Sequence, residues 1–274
     1  MNHLFCFGMG YSAQALAERL RARGWRVSGT SRRPSDDPET HRFDRDHPLD
    51  PGVFMSCTHL LTSIAPDDLG DPVLDLHGAD LRAAKARWVG YLSTTGVYGD
   101  RGGDWVDETG DLRPAGVRGQ RRVEAEQGWL DTGLPVHLFR LAGIYGPGRS
   151  ALDTVREGRA RRIIKPGQFF SRIHRDDIAT VLEASIDRPN PGAAYNLADD
   201  LPAPPQDVIA HACELLGAPI PPDLPFDQAT LSPMAASFYG ENKRVRNDRI
   251  KTELGVTLAY PTYREGLAAL LAAS

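Results

Sequence analysis

Short apolar runs alternate with segments of helical periodicity through the first half of the chain. Buried strands are predicted at residues 4–7, 25–30, 59–66 and 88–93. Leu16, Ala17 and Leu20 share one face of a helix after the first strand, and a second helix is predicted around residues 75–87. This alternation predicts an α/β fold with a parallel, doubly wound sheet whose ligands bind at the carboxyl ends of its strands.

The first predicted strand runs directly into a turn with the spacing Gly-x-Gly-x-x-Ala. Gly8 permits the tight turn, Gly10 lets the backbone approach a pyrophosphate, and Ala13 lets the following helix pack close to the strand. The free N–H groups at the helix start, where Tyr11 and Ser12 lie, suit phosphate oxygens. The order of strand, turn and helix predicts a dinucleotide site, and an ordinary α/β turn is the alternative.

Two arginines follow the second predicted strand, where an NAD site usually has an acidic residue for the adenosine ribose. Ser31 is followed by Arg32 and Arg33, and guanidinium groups bind a 2′-phosphate through forked, charge-assisted hydrogen bonds. NADP(H) is therefore the predicted cofactor. NAD(H) stays open, because the arginines could instead be solvated loop charges.

Small and hydroxyl-bearing residues lie near the ends of two further predicted strands. Strand 59–66 contains Ser63, Ile64 and Ala65, and strand 88–93 is followed by Thr94 and Thr95. The carboxyl ends of parallel strands meet at one edge of a sheet. We therefore assign Ser63, Ile64 and Ala65 to cofactor binding.

Composition narrows the class of protein. The 274 residues carry a formal net charge of -4 with a pI near 6.1, which argues against a general nucleic-acid binder. The 3 cysteines show no zinc-binding or disulfide spacing, and no apolar run approaches the length of a membrane span. We expect a cytoplasmic protein that acts on a small molecule and binds no metal. We expect neither nucleic acid nor a membrane as its partner.

Three further motifs, together with the N-terminal turn, resemble the extended short-chain dehydrogenase/reductase superfamily of nucleotide-sugar epimerases and dehydratases. They are Leu-Ser-Thr-Thr-Gly-Val-Tyr-Gly at 92–99, Arg-Leu-Ala-Gly-Ile-Tyr-Gly-Pro-Gly at 140–148 and Arg-Ile-His-Arg-Asp-Asp-Ile-Ala at 172–179. The resemblance covers essentially the whole chain. It implies a Rossmann domain, a smaller C-terminal substrate lobe and a nicotinamide cleft between them. It also implies that Thr94 donates its hydroxyl to the substrate and that Tyr145 lies near the nicotinamide.

The expected domain division follows from this resemblance and from composition. Residues 1–150 are predicted to form the dinucleotide-binding Rossmann domain. Proline-rich connections at 202–205 and 219–225 are typical of a second lobe with long loops. Residues 151–274 are therefore predicted to be mainly the substrate lobe, with 172–198 returning to the Rossmann core.

Arginines replace the residues that usually transfer a proton in this family. Members usually carry Tyr-Gly-x-Ser-Lys followed by a glutamate, whereas this chain has Arg118, Gly119 and Arg122 before Glu126. An arginine is effectively never deprotonated in a protein, so Arg118 cannot be a general base. The pattern resembles an atypical, epimerase-like branch of the superfamily that lacks the standard proton relay.

Three functions remain open for such a chain. The first is an NAD(P)-dependent oxidoreductase or epimerase-like enzyme in which another group moves the proton, the available groups being Tyr98, Tyr145, Glu108 and His174. The second is an NADP(H)-sensing protein without catalysis, and the third is a remnant without ligand chemistry. The catalytic candidates are Thr94, Tyr98, Arg118 and Arg122.

Structural roles compete with these catalytic ones. Glu108 is expected to be solvated in its loop, and His174 to be a hydrogen-bonded structural residue. Asp176 or Asp177 is expected to cap the helix that follows His174.

The arginines also raise the prospect of an anionic substrate. Arg118 and Arg122 lie four residues apart on a predicted helix, so they share a face, and Glu126 or Glu108 could be their internal counter-ion. The basic stretch 156–165 is first a solvated helix face followed by a strand, but together with Arg172 it could attract a carboxylate or phosphate. The family also implies pairing into a homodimer through the helix that follows Arg118.

Overall fold

The computed structural model describes residues 2–274, without the side chain of Met234. The strands are β1 (His3–Phe7), β2 (Arg26–Ser31), β3 (Thr40–Arg42), β4 (His59–Thr62), β5 (Trp88–Thr94), β6 (Trp105–Val106), β7 (Val136–Leu141), β8 (Gly143–Tyr145), β9 (Arg162–Ile164), β10 (Arg172–His174), β11 (Ala194–Leu197), β12 (Asp223–Pro225) and β13 (Arg244–Val245). The helices are α1 (Tyr11–Ala22), α2 (Pro72–Ala83), α3 (Val117–Leu130), α4 (Ala151–Arg156), α5 (Arg175–Asp187), α6 (Pro205–Leu216), α7 (Pro233–Tyr239), α8 (Asp248–Thr252) and α9 (Tyr263–Ala272).

The central sheet has seven parallel strands in the order β11-β7-β5-β4-β1-β2-β3. Strand order reverses beside β1, so the start of α1 lies at the carboxyl edge where α/β sheets bind their ligands. The predicted Rossmann-type fold with a doubly wound parallel sheet is confirmed.

Helices cover both faces of this sheet. On one face Leu16 and Leu20 of α1 pack with Ile178 and Leu182 of α5, and on the other face α2 and α3 bury side chains that include Trp129. Burial of this kind contributes about 25 cal/mol per Å² of apolar surface, so both layers stabilise the sheet that positions the loops.

The C-terminal lobe is built from β9, β12, α4, α6 and α9 around a small apolar core that contains Leu152, Val208 and Leu267. Residues of the second half also return to the central sheet: β11 pairs with β7, and α5 packs on α1. The lobe therefore lies beyond the carboxyl edge of β7 and β11, next to the start of α1.

Some element bounds differ from those predicted. The predicted helix 75–87 is α2, which begins three residues earlier because the Asp71 side chain accepts hydrogen bonds from the N–H groups of Val73 and Leu74. It ends at Ala83, and Ala84 is extended. Strand β4 ends at Thr62, so Ser63, Ile64 and Ala65 lie in the loop that follows it.

Candidate functional site

The turn between β1 and α1 is held by its two neighbouring strands. Gly8 has a φ of 86°, its N–H donates to Thr30 Oγ1 at 2.8 Å, and its carbonyl accepts from Ser63 Oγ at 2.6 Å. A Cβ at Gly8 would lie 2.7 Å from Ser63 Oγ. Glycine is thus required at position 8, because another residue would be strained at this φ and its Cβ would clash with Ser63.

The start of α1 opens into a space beside this turn. A Cβ built on Gly10 would meet only Ser63 Oγ, at 3.8 Å, and Gly10 gives α1 no side-chain cap. Ser12 is mostly buried, and its hydroxyl has no hydrogen-bond partner within residues 2–274. Free N–H groups, the positive end of the helix dipole and a free hydroxyl together fit a dinucleotide pyrophosphate.

The loop after β8 lies directly against this helix start. The Tyr11 hydroxyl donates to the carbonyl of Pro147 at 3.0 Å, and a Cβ at Gly146 would lie 2.6 Å from the same hydroxyl oxygen. The guanidinium groups of Arg149 and Arg175 lie 5.9 and 5.0 Å from the Tyr11 ring centre. Tyr11 therefore joins the candidate phosphate site to the loop that leads into the C-terminal lobe.

Arg32 and Arg33 extend from the carboxyl end of β2 with both side chains exposed. Within residues 2–274 neither guanidinium makes a hydrogen bond or an ion pair, although Arg33 contributes its backbone N–H to Ser31 Oγ. Arg26 at the other end of the strand, by contrast, is paired with Glu39 at 3.1 Å. The two arginines are thus available to a ligand phosphate.

The loop after β4 contributes unequally to this region. Ser63 supplies the hydroxyl that holds the Gly8 carbonyl, and a Cβ at Gly8 would lie 3.0 Å from Ile64 Cγ1. Ala65 is exposed and lies farther along the loop. Ser63 and Ile64 therefore shape the turn directly.

Thr94 lies at the carboxyl end of β5 and is partly exposed. Its Oγ1 accepts a hydrogen bond from the Gly96 N–H at 3.1 Å, which fixes the hydroxyl and leaves its proton free to donate. The start of α3 packs against the same segment, since a Cβ on Gly119 would lie 3.0 Å from the Gly96 carbonyl oxygen. Thr94 can thus present a donor to the space above the sheet.

Tyr98 lies in a different environment from Thr94. Its side chain is fully buried, its hydroxyl donates to Asn196 Oδ1 at 2.7 Å, and it accepts from Arg140 Nη1 at 3.0 Å. Burial raises the pKa of Tyr98 to about 12. In this arrangement the Tyr98 hydroxyl makes both of its hydrogen bonds to buried protein groups.

A buried ion pair lies at the centre of this interior network. Arg140 Nη2 lies 2.8 Å from Glu126 Oε2, and Ser93 Oγ donates to the other carboxylate oxygen at 2.5 Å. Sequence reasoning gave Arg140 and Asn196 no role, although Arg140 opens one of the family-like motifs. An arginine inside a strand-forming apolar segment is the signal that could have indicated a buried partner.

The two arginines of α3 do not converge. Arg118 is exposed, and its side chain makes no hydrogen bond or ion pair within residues 2–274. Arg122 is partly buried and donates to the Leu92 carbonyl at 2.7 Å and to the Tyr91 hydroxyl at 3.1 Å. The alternative of an internal counter-ion for this pair is not found, because Glu126 is bound to Arg140 and Glu108 accepts the Asn196 N–H.

His174 is the hydrogen-bonded structural residue that was expected, whereas Glu108 and Asp177 differ from expectation. Glu108 is partly buried rather than solvated, because its Oε1 accepts the Asn196 N–H at 2.7 Å, and burial raises its pKa. His174 itself caps α5, with Nδ1 accepting from the Asp176 N–H at 3.2 Å. Asp177 does not cap the helix; its carboxylate instead accepts the N–H groups of Ala259 and Tyr260.

The basic stretch and Tyr145 lie in or beside the C-terminal lobe. Tyr145 is largely buried, and its hydroxyl lies 3.4 Å from the Thr262 carbonyl oxygen. Arg156 and Arg159 are exposed, as expected for a solvated face. Within β9, however, Arg162 is paired with Asp223, so the stretch is only partly solvated.

No family model matches this chain. It is similar to the solved structure of a conserved protein of unknown function from Silicibacter pomeroyi, with 56% identity and a TM-score of 0.92 over 100% of this chain and 99% of the other. It is also similar to a Methylobacillus flagellatus protein assigned as an NAD-dependent epimerase/dehydratase. That pair shares 28% identity with a TM-score of 0.75 over 99% of this chain and 98% of the other.

Two further proteins are similar to this chain in sequence over nearly its whole length. The Escherichia coli K12 protein YeeZ is 27% identical over 95% of this chain and 97% of its own length. A 3-diazoavenalumate denitrifying reductase of Streptomyces is 26% identical over 97% of this chain and 99% of its own length.

More distant structures share the fold. A human epimerase family protein solved with NADPH has 19% identity and a TM-score of 0.76, over 99% of both chains. MoeE5 solved with UDP-glucuronic acid and NAD has 19% identity and a TM-score of 0.79, over 99% of this chain and 98% of the other. Within residues 2–274, no helix has the length and apolar character needed to span a bilayer. The chain is thus similar to NAD(P)-dependent epimerase/dehydratase-like proteins of the extended short-chain dehydrogenase/reductase type, and one of its sequence relatives is named as a reductase.

Proposed function

We propose that this protein is a nicotinamide-dependent oxidoreductase that prefers NADP(H) and works without the family's Tyr-Lys pair. The observation that carries the proposal is the pair of exposed, unpaired guanidinium groups of Arg32 and Arg33 where NAD sites usually have a carboxylate. The open start of α1 beside Gly10 supports it, because the protein leaves room there for a pyrophosphate.

Different residues would bind the cofactor and orient the substrate. The helix start with Ser12 would hold the pyrophosphate, Arg32 and Arg33 the 2′-phosphate, and Thr94 would donate a hydrogen bond that orients the substrate. The bound cofactor would supply or accept a hydride. Arg122 fixes α3 against β5 through the Leu92 carbonyl and leaves Arg118 free at the surface.

The arrangement favours a reaction that needs little proton transfer by a side chain. Tyr98 is sealed in the interior, and Arg118 cannot act as a base. A reduction in which water supplies the proton meets this condition. The similar Streptomyces protein is named as a reductase, which supports this class over epimerisation.

The test is a fluorescence titration of the protein with NADPH and NADH, alone and as the variants Arg32→Ala and Arg33→Ala. Each lost charge-assisted contact should weaken NADPH by about 1.5–3 kcal/mol and leave NADH nearly unchanged. Arg26→Ala, on the same strand but paired with Glu39, is the matched control and should change neither affinity. Equal affinity for both cofactors in the unmodified protein would remove the basis of the proposal.

A second candidate is an NADP(H)-binding protein that senses the cofactor without catalysis. The specific observation in its favour is that the Tyr98 hydroxyl is already bonded to Asn196 and Arg140, while Glu108 holds a backbone N–H. NADPH binding without consumption in the presence of carbonyl compounds and sugar nucleotides would favour this candidate. Consumption of NADPH would favour the enzyme.

A further inference from the structure

A cavity of about 520 Å³ lies in the C-terminal lobe, between the loop after β8 and the helices α4, α6 and α9. Its size falls in the range of roughly 300–1,000 Å³ that is usual for small-molecule sites. Tyr145 lines the cavity and is the last residue of β8. Strand β8 follows β7, and Leu141 at the end of β7 pairs with Thr94 of β5. The cavity thus lies beyond the carboxyl end of β7.

Arg172 forms the inner polar wall of this cavity. Its Nη1 donates to the carbonyl oxygens of Phe170 and Ala203 at 2.8 and 3.0 Å, which fixes the guanidinium. Within residues 2–274 no acceptor takes the remaining N–H groups and no carboxylate lies within ion-pair distance of Arg172, although the buried carboxyl of Asp199 interacts with its charge from farther away. Burial lowers the pKa of Arg172, which expresses the cost of holding this cation away from water.

Two more arginines at the cavity lack a carboxylate partner. Arg149 makes no side-chain hydrogen bond within residues 2–274, and Arg161 donates only to the Thr230 carbonyl. The two carboxylates that line the cavity are already engaged: Asp153 caps α4, and Glu157 is paired with Arg159. The unpaired charge of the cavity is therefore positive.

Apolar side chains form one side of the remaining wall. Val208 and Ile209 of α6 and Leu267 of α9 line the cavity together with the ring of Tyr263. Such a surface contacts an apolar or aromatic ligand body. On the other side Ser150 and Thr154 line the cavity, but their hydroxyls already donate to Asp153 and to the Ser150 carbonyl. Few free donors therefore remain for a polyhydroxylated sugar.

We propose that this cavity binds a small organic carboxylate with an apolar body, held by Arg172 with Arg149 and Arg161 at the rim. The free edge of the Arg172 guanidinium matches a carboxylate, which it can bind through two parallel hydrogen bonds. Resting on the proposed function, a carboxylate of this class is the substrate of the hydride transfer.

The test measures binding by calorimetry in the absence of cofactor, with benzoate, phenylacetate and cinnamate as probes. At least one should bind, while benzamide, the neutral counterpart of benzoate, should bind at least about tenfold more weakly. Arg161→Gln and Arg172→Lys should each weaken the bound probe about tenfold or more. Ile209→Trp should abolish binding by filling the cavity.

Arg156→Gln is the matched control, because Arg156 lies on α4 outside the cavity and bonds Ser274. It should leave the probe affinity unchanged. Binding of inorganic phosphate without any of the carboxylates would overturn the assignment. So would carboxylate binding that is insensitive to Arg161→Gln, Arg172→Lys and Ile209→Trp, or no binding of any probe.

NADPH titration of the same protein separates this inference from the proposed function. The cavity variants should keep NADPH affinity within about twofold, since none of the substituted residues lies at the α1 start. Carboxylate binding without NADPH binding would count against the proposed function alone. NADPH binding without carboxylate binding would count against the cavity assignment alone.

Discussion

Two polar regions at the carboxyl edge of the same sheet are built in opposite ways. One region, here called the closed region, is a buried hydrogen-bond network near the ends of β5, β7 and β11. Its polar groups bond one another inside the protein, and they belong to Ser93, Tyr98, Glu126, Arg140 and Asn196. The other region, here called the open region, comprises the start of α1 and the end of β2. There the side chains of Ser12, Arg32 and Arg33 have no such partners within residues 2–274. The difference teaches which polar residues hold the fold and which are left for a ligand.

The closed region changes the meaning of family-like motifs. Tyr98 belongs to a motif that resembles a catalytic segment, yet its hydroxyl is bound on both sides within the interior. Arg122 takes the place of the usual lysine and is bonded to the Leu92 carbonyl. Position in a motif therefore does not fix a role; the partners of each polar atom do.

The largest expected effect on the free energy of unfolding comes from removing the carboxylate of the closed region. Glu126→Ala would leave the Arg140 guanidinium buried without its carboxylate, because their side chains are only 6% and 3% exposed. The free energy of unfolding should fall by about 3–5 kcal/mol. Denaturant unfolding at neutral pH measures this change.

An exposed ion pair provides the control for that experiment. Arg26 and Glu39 are 56% and 36% exposed, so Glu39→Ala should cost at most about 1 kcal/mol. Similar losses in the two variants would show that the network of Glu126 is not a closed, desolvated unit.

The next effect is a pH dependence of stability that arises at Asp199, whose backbone N–H donates to the Arg172 carbonyl. Asp199 is buried, its Oδ2 has no hydrogen-bond partner within residues 2–274, and burial raises its pKa from 3.8 to about 8. Between these values the unfolded chain releases a proton that the folded protein keeps. Stability from this group is therefore present below the unfolded pKa and is lost as pH rises toward 8.

Asp199→Asn removes this ionisation and tests the sign. Unfolding measured at pH 5 and pH 8 should show the wild-type protein losing stability relative to the variant as pH rises, by roughly 1–3 kcal/mol. Asp36→Asn, at an exposed position, should show no such trend. A constant difference between wild type and Asp199→Asn would contradict the raised pKa.

The open region makes a sharper comparison between two glycines. A Cβ at Gly10 would meet no protein atom closer than 3.8 Å, so Gly10→Val should fold normally and weaken NADPH and NADH alike by at least about tenfold. Gly8→Val should instead destabilise the fold, because of the φ of 86° and the contact with Ser63 Oγ. Melting temperature and cofactor titration together distinguish the two.

Normal cofactor affinity in Gly10→Val would place the phosphates elsewhere. An unfolded Gly10→Val protein would show that the space beside α1 is not as open as its geometry indicates. Either result would remove the contrast between the two regions.

Local patterns made the sheet predictable. The apolar runs 4–7, 25–30 and 88–93 correspond to β1, β2 and β5 within a residue at each end, because buried parallel strands are short and continuously apolar. Strand β3 was not predicted, because it is a short polar segment held by pairing with β2. Its hydrogen bonds depend on the neighbour and not on its own residues.

The partners of the polar residues were not predictable in the same way. Tyr98 and Asn196 are 98 positions apart, and Ser93 and Glu126 are 33 apart, so no local spacing joins them. The glycine-rich turn and the two exposed arginines could be read from the sequence because each acts alone or with near neighbours. The roles of Arg118 and Thr94 stay predictions.

The smallest expected effect separates the two arginines of α3. Arg118 is exposed without a partner, so Arg118→Ala should change the free energy of unfolding by less than about 0.5 kcal/mol. Arg122→Ala loses the bonds to Leu92 and Tyr91 and should cost about 1–2 kcal/mol. If Arg118 also binds a substrate anion, its variant should raise KM without changing stability or NADPH affinity. Unchanged KM would assign anion binding to the C-terminal cavity, whereas equal destabilisation by both variants would show that Arg118 belongs to the closed region.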